Sequence, residues 1–124
     1  MGKFVIKDAK NGFMFNLKAG NGEVIATSEV YTTMSACKKG VASVAKNAPV
    51  APVENQTEEG FAKEKCPKFE VYADKAGKFR FRLKATNGQI IAVGEAYESL
   101  KNCLNGIESV KKNAAENNVV REEQ

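Results

Sequence analysis

The sequence predicts an α+β domain in which one unit of strands and a helix is written twice and closed about a pseudo-twofold axis. Three observations carry this. The chain repeats itself internally, each copy contains a period-two apolar run that stops at Asn-Gly, and each copy then carries an amphipathic stretch at helical spacing.

Shifting the 124-residue chain by 66 positions lays Phe13–Ala48 on Phe79–Ala114, and 18 of the 36 aligned pairs are identical. The first strands, Phe4 and Ile6 against Phe69 and Val71, match at a shift of 65, so the turn that follows is one residue longer in the second copy. Residues 1–53 and 67–124 are therefore read as two repeats joined by an acidic linker, 54–66. One sheet with one helix buries only one face and is marginal at about 50 residues. Two copies sharing a core make a single cooperative domain over 1–124.

Within each copy, Phe13, Phe15, Leu17 and Ala19, and again Phe79, Phe81, Leu83 and Ala85, alternate with polar or basic residues, the pattern of a half-buried strand. Asn21-Gly22 and Asn87-Gly88 follow at once and read as hairpin turns. A two-residue turn would set Ala19 against Val24, Leu17 against Ala26 and Arg80 against Glu95. The partner strands are then Glu23–Ser28 and Gln89–Gly94. Thr33 and Ser99 are the expected helix N-caps. Met34, Cys37, Val41, Val44 and Ala48, and Leu100, Cys103, Leu104, Ile107, Val110 and Ala114, fall on one helical face. Asn47 and Asn113 are expected to close the helices in the left-handed conformation. Gly40 and Gly106 sit inside the helices, where glycine costs roughly 1 kcal/mol relative to alanine, so close approach of another backbone is expected there. A short β-prone piece follows each helix, at Val50–Val53 and Asn118–Arg121.

The composition is 43% hydrophobic and 27% charged with a net charge of +4, and it contains no histidine. That excludes imidazole bases, Ser-His-Asp and Cys-His nucleophiles and histidine-ligated metals. Three cysteines fit a reducing, cytoplasmic setting better than a disulfide framework. No apolar run reaches the roughly 20 residues of a membrane span, and no leader is expected. No Walker loop, dinucleotide fingerprint or metal-ligand spacing is present, so no cofactor is expected.

The pattern Phe-x-Phe-x-Leu-Lys-Ala-x-Asn-Gly, followed by Ile-Ala, Glu-x-Tyr, a Cys three residues before a Gly, and Ser-Val-x-Lys-Asn-Ala, resembles the YegP-like family in both copies. These are small bacterial and archaeal proteins of unknown function. The resemblance implies a β3-α-β unit used twice. It also implies one continuous, mainly antiparallel sheet with two helices, and C-terminal strands exchanged between the repeats. Met14 and Asn16 depart from the pattern, standing where the second copy has Arg80 and Arg82, and so does the long acidic linker. The resemblance brings no activity with it.

The functional reading is therefore built on surfaces. Lys78, Arg80, Arg82 and Lys84 form an outward basic stripe, joined on that face by Ile25, Ile91 and Val93. The stripe is either a binding face for a polyanion such as nucleic acid or a solvated strand with Arg80 paired to Glu95. Glu29/Glu95 and Tyr31/Tyr97 form a repeated Glu-x-Tyr motif, in which each Glu answers a nearby charge and each Tyr covers the end of the core. Cys37 and Cys103 are read as buried small hydrophobes, with a redox pair as the alternative, and Cys66 as the more exposed thiol. The leading expectation is a non-enzymatic module, monomeric with an internal pseudo-dimer, that offers a sheet face or edge to a macromolecular partner. An enzyme using Glu, Tyr, Lys or Cys is the lesser alternative.

Overall fold

The computed structural model describes residues 2–121. Repeat 1 supplies β1 (Lys3–Ala9), β2 (Gly12–Lys18), β3 (Val24–Thr27), α1 (Met34–Asn47) and β4 (Val53–Asn55). Repeat 2 supplies β5 (Lys68–Ala73), β6 (Phe79–Lys84), β7 (Ile90–Val93), α2 (Leu100–Ala115) and β8 (Val119–Arg121). All eight strands form one sheet in the order β4-β5-β6-β7-β3-β2-β1-β8. Each repeat is an antiparallel meander, and its last strand crosses to the other repeat. There β4 runs parallel to β5, and β8 runs parallel to β1. The halves meet where β3 pairs antiparallel with β7 through Thr27 and Val93.

The Asn-Gly turns form the hairpins but not with two residues. Gly22 N–H donates to the Ala19 carbonyl and Ala19 N–H to that of Glu23, which makes a three-residue loop ending in Gly22 at φ 85°. Gly88, at φ 84°, ends the matching loop between Ala85 and Gln89. The extra loop residue sets Lys18 against Val24 instead of Ala19. A β-bulge at Leu17/Lys18 then restores Leu17 opposite Ala26. The same slip occurs at Leu83/Lys84. Strict alternation fails across these bulges, so Ile25 and Ile91 are buried in the core cluster instead of lying on the outer face.

Both helices pack on one face of the sheet and touch each other. Phe4, Phe15, Phe69 and Phe81 are fully buried at the centre of this layer, in two edge-to-face pairs with centroids 5.7 and 5.9 Å apart. Burial of each such ring contributes roughly 1.5–3 kcal/mol. Thr33 and Ser99 cap the helices, accepting hydrogen bonds from Ala36 and Asn102 N–H. Asn47 and Asn113 do not close them in the left-handed conformation. Both are helical and buried, and their amides donate to Ser43 and to Ser109 one turn back. Asn117, at φ 49°, makes the left-handed turn after α2. The piece after α1 also shifts. Pro49 and Pro52 deny it two N–H donors, residues Ala48–Val50 form a 3₁₀ turn, and the strand begins only at Val53.

Gly40 and Gly106 are close-approach sites, but what approaches is a tyrosine ring and not a backbone. A Cβ on Gly40 would lie 2.7 Å from Tyr31 Cζ and nearer still to its hydroxyl, and one on Gly106 would lie 2.7 Å from Tyr97 Cζ. Each tyrosine also stacks on the phenylalanine of its own repeat, Phe15 or Phe81, at 6.3 and 6.2 Å. The repeated tyrosine and the repeated glycine are thus two halves of one packing contact.

Candidate functional site

The helix-free face of the sheet follows from register. Lys68 lies opposite Lys84, Glu70 opposite Arg82, and Tyr72 opposite Arg80. Across the axis, Lys3 lies opposite Lys18, Val5 opposite Asn16, and Lys7 opposite Met14. The exchanged strands place Glu54 beside Glu70 and Val120 beside Val5. The two halves of this face therefore share lysines at matching positions but differ between them.

In repeat 2 the basic stripe is neutralised from within. Arg82 Nε donates to Glu70 at 2.6 Å, and Lys68 and Lys84 approach the same carboxylate at 3.2 Å. Lys68 also bonds Glu54 at 2.8 Å. Arg80 pairs with Asp74 at 2.7 Å, not with Glu95, and Lys78 pairs with Glu98. Asp74 is held for this by the turn it closes, where its carboxylate also accepts the N–H groups of Ala76 and Lys78. Arg82 additionally lies 4.5 Å from the centre of the Tyr72 ring.

Two carboxylates in this network are buried, and their partners keep them ionised. The hydrogen bond from Lys68 lowers the Glu54 carboxyl to about 2 against the opposing effect of burial, aided by Gln56 and the Glu64 N–H. For Glu70, burial pushes upward but hydrogen bonds from Arg82, Lys68 and Lys84 outweigh it and hold the carboxyl below its ordinary value. Glu54 lies inside the segment read as a linker. It anchors that segment, since its two oxygens hold Gln56, Glu64 and Lys68 together.

Repeat 1 lacks this network. Val5 stands where repeat 2 has Glu70, Val120 where it has Glu54, and Asn16 where it has Arg82. Lys3 and Lys18 remain, directly opposed across the hairpin, and neither takes part in an ion pair among the described residues. Among the described residues, the unpaired cations on the sheet face thus belong to repeat 1. Residues 68–88 carry six basic and two acidic side chains, but the fold brings Glu54 and Glu98 to that stripe from outside the segment.

The predicted apolar part of the face changes in the same way. Val93 is exposed there, but Ile91 is not, and Ile90, opposite Lys84, takes its place with 41% of its surface exposed. Only a view of the bulge finds Ile90. The Glu-x-Tyr motif divides. Tyr31 and Tyr97 pack on the helices, while Glu29 and Glu95 are exposed and make no ion pair among the described residues, Glu95 adding only a small charge attraction at Arg80. Burial raises both tyrosine hydroxyls, with Glu29 and Cys37 adding to the effect on Tyr31, and Cys103 and Glu95 on Tyr97.

Cys37 and Cys103 are free and fully buried. Burial raises the Cys37 thiol, with Arg121 acting in the other direction, and pushes Cys103 up to about 11. Thiols held protonated in this way are poor nucleophiles. Cys66 is free and half-buried. Among the described residues no group of three or more acidic or cysteine side chains is placed to hold a metal ion, and no helix is long and apolar enough to cross a membrane.

The family described as a domain of unknown function (DUF1508) matches twice, at residues 8–55 and 74–120. A UPF0339 protein of Treponema denticola is 70% identical over 53 residues, which cover 43% of this chain and 91% of that protein. The relative is thus about one repeat long. The UPF0339 protein YegP of Escherichia coli K12 is 41% identical over 113 residues, covering 91% of this chain and 89% of YegP. The solution NMR structure of E. coli yegP, described as a protein of unknown function, superposes with a TM-score of 0.78 at 38% identity, covering 98% of this chain and 92% of that one. The solution structure of the UPF0339 protein SO3888 of Shewanella oneidensis gives the same TM-score at 35% identity, with coverages of 97% and 90%.

Proposed function

The chain belongs to the DUF1508 family, whose function is unknown, and from its geometry we propose that it is a non-enzymatic module that presents the helix-free face of its sheet to a macromolecular partner. One observation supports this reading most. Both helices lie on one side of an eight-stranded sheet, and the opposite side carries exposed Ile90 and Val93 at its centre, with Lys3 and Lys18, unpaired among the described residues, to one side. A mixed apolar and cationic surface suits a protein partner bearing carboxylates around an apolar contact. The partner of the repeat-2 stripe is already internal, so the anionic groups would meet repeat 1.

A photo-crosslinking residue at position 93, on the open face, compared with one at Lys39, on the helix side, tests this in the protein's own host cells. Adducts concentrated at position 93 and reduced by Lys3→Glu with Lys18→Glu support the reading. Equal labelling at both positions counts against it.

A nucleic-acid partner is the second reading, favoured by the same pair of lysines. It differs in one respect that can be measured. Binding of single-stranded RNA should fall steeply with added salt and be insensitive to Arg80→Ala with Arg82→Ala, because those guanidinium groups are held by Asp74 and Glu70. Absence of binding at low salt removes this reading and leaves the protein partner.

A further inference from the structure

The two repeats serve as internal controls for each other, and they differ most at one place on the helix side of the sheet. Between α1 and the β1/β8 edge runs a groove of about 710 Å³, lined by Ile6, Met34, Val41 and Val119 with Lys38 and Arg121 beside them. Its size falls within the roughly 300–1,000 Å³ range of small-molecule sites. At the matching place in repeat 2, Leu104 replaces Lys38, packs against the core, and is joined by partly buried Val53 and fully buried Ala51. Their counterparts at the repeat-1 groove, Val119 and Asn117, are both exposed. Glu108, where repeat 1 has Ala42, approaches Lys111 at 4.0 Å, and Lys111 lies over the Phe69 ring. The space is therefore filled in one repeat and open in the other.

The chemistry of the groove is apolar with positive charge. Ile6 and Val41 are buried at its floor, and Met34 and Val119 form its sides. Arg121 is engaged by Asp8 at 2.5 Å and lies over the Phe13 ring. Lys38 has no ion-pair partner among the described residues. A cation replacing the leucine that closes the same groove elsewhere leaves room for a chain and supplies a counter-charge for its head. We propose that this groove binds an aliphatic carboxylate, with the hydrocarbon chain along Ile6, Val41 and Val119 and the carboxylate at Lys38. The site lies on the opposite side of the sheet from the face assigned to the macromolecular partner, so each reading stands without the other.

Titration with sodium decanoate below its micelle concentration, followed by methyl NMR of the whole chain, tests the assignment. Val41 and Val119 should shift, while Ile107 and Val53 at the matching place in repeat 2 stay still. Lys38→Leu, which copies the residue repeat 2 tolerates there, should abolish the shifts with the fold intact. Lys38→Gln should weaken decanoate roughly tenfold or more, as expected for loss of a charged hydrogen bond, and leave decanol unaffected. Equal shifts in both repeats, or shifts unchanged by Lys38→Leu, overturn the proposal. So does a groove that responds to an acidic amphipathic peptide but not to decanoate, because its occupant is then a protein segment.

Discussion

Thr27 lies directly opposite Val93, the residue that holds its own position in the other repeat. In a dimer of identical single-repeat chains, a twofold axis at this place would set one residue against itself. Here both halves lie in one chain, and the matched positions differ as Thr and Val. The Thr27 hydroxyl donates to Asn16 at 3.1 Å, and Asn16 replaces the arginine of repeat 2, so the divergence extends into the neighbouring strand.

The seam is short, and its backbone carries the joint. Val93→Pro should cost about 3 kcal/mol or more, because proline removes an N–H and clashes in the middle of a sheet. Thr27→Val, which makes the axial pair alike, should stay within about 1 kcal/mol. Urea denaturation of both variants reads the difference.

Gly40 tests the tyrosine contact. On an isolated helix Gly40→Ala would gain roughly 1 kcal/mol. In this fold the added methyl meets the Tyr31 ring, which Phe15 holds by stacking, so the variant should instead be less stable by about 1–3 kcal/mol. Tyr31→Phe removes only the nearest atom and should recover part of the loss. A thermodynamic cycle on the two sites should show coupling, and strict additivity would contradict the contact.

Glu54 makes stability depend on pH. Its carboxyl titrates at about 2 in the folded chain against an ordinary 4.5. A depressed carboxyl contributes fully above its unfolded value, and the contribution is lost as pH falls from about 4.5 toward 2. Glu54→Gln should therefore cost about 2–3 kcal/mol at pH 7 and clearly less at pH 2, in paired urea titrations.

The cysteines separate by burial. A thiol-reactive dye on the native protein should label Cys66 first. Cys37 and Cys103 should react only on unfolding, since both are fully buried and the Cys103 thiol sits at about 11. Prompt labelling of all three would contradict the core as described.

Much of the fold is legible in the residues because it rests on local rules. The cap hydroxyls of Thr33 and Ser99, the helical apolar faces and the alternating phenylalanines each declare themselves within a few positions. The strand exchange is less local. Val119–Arg121 and Val53–Asn55 are too short to signal pairing, and only the family resemblance pointed to it. Where the reading failed, a longer-range fact decided. A three-residue loop followed by a bulge cancels in register at Leu17 and Ala26 but turns Ile25 and Ile91 inward. Glu54 reaches Lys68 only because its strand crosses to the other repeat. Arg80 finds Asp74 through the preceding turn, and Lys3 and Lys18 stand out only once the cations of the repeat-2 stripe have their carboxylates.

We propose that the two repeats, interlocked by exchanged strands, form one cooperative unit that replaces an external partner with an internal one. Urea unfolding followed at single sites by methyl NMR tests it most directly, using Val44 as the probe in repeat 1 and Val110 in repeat 2, both fully buried. The interlocked sheet predicts one shared midpoint and slope at both sites, at any protein concentration. Two separated transitions, or a midpoint that rises with protein concentration, would contradict it.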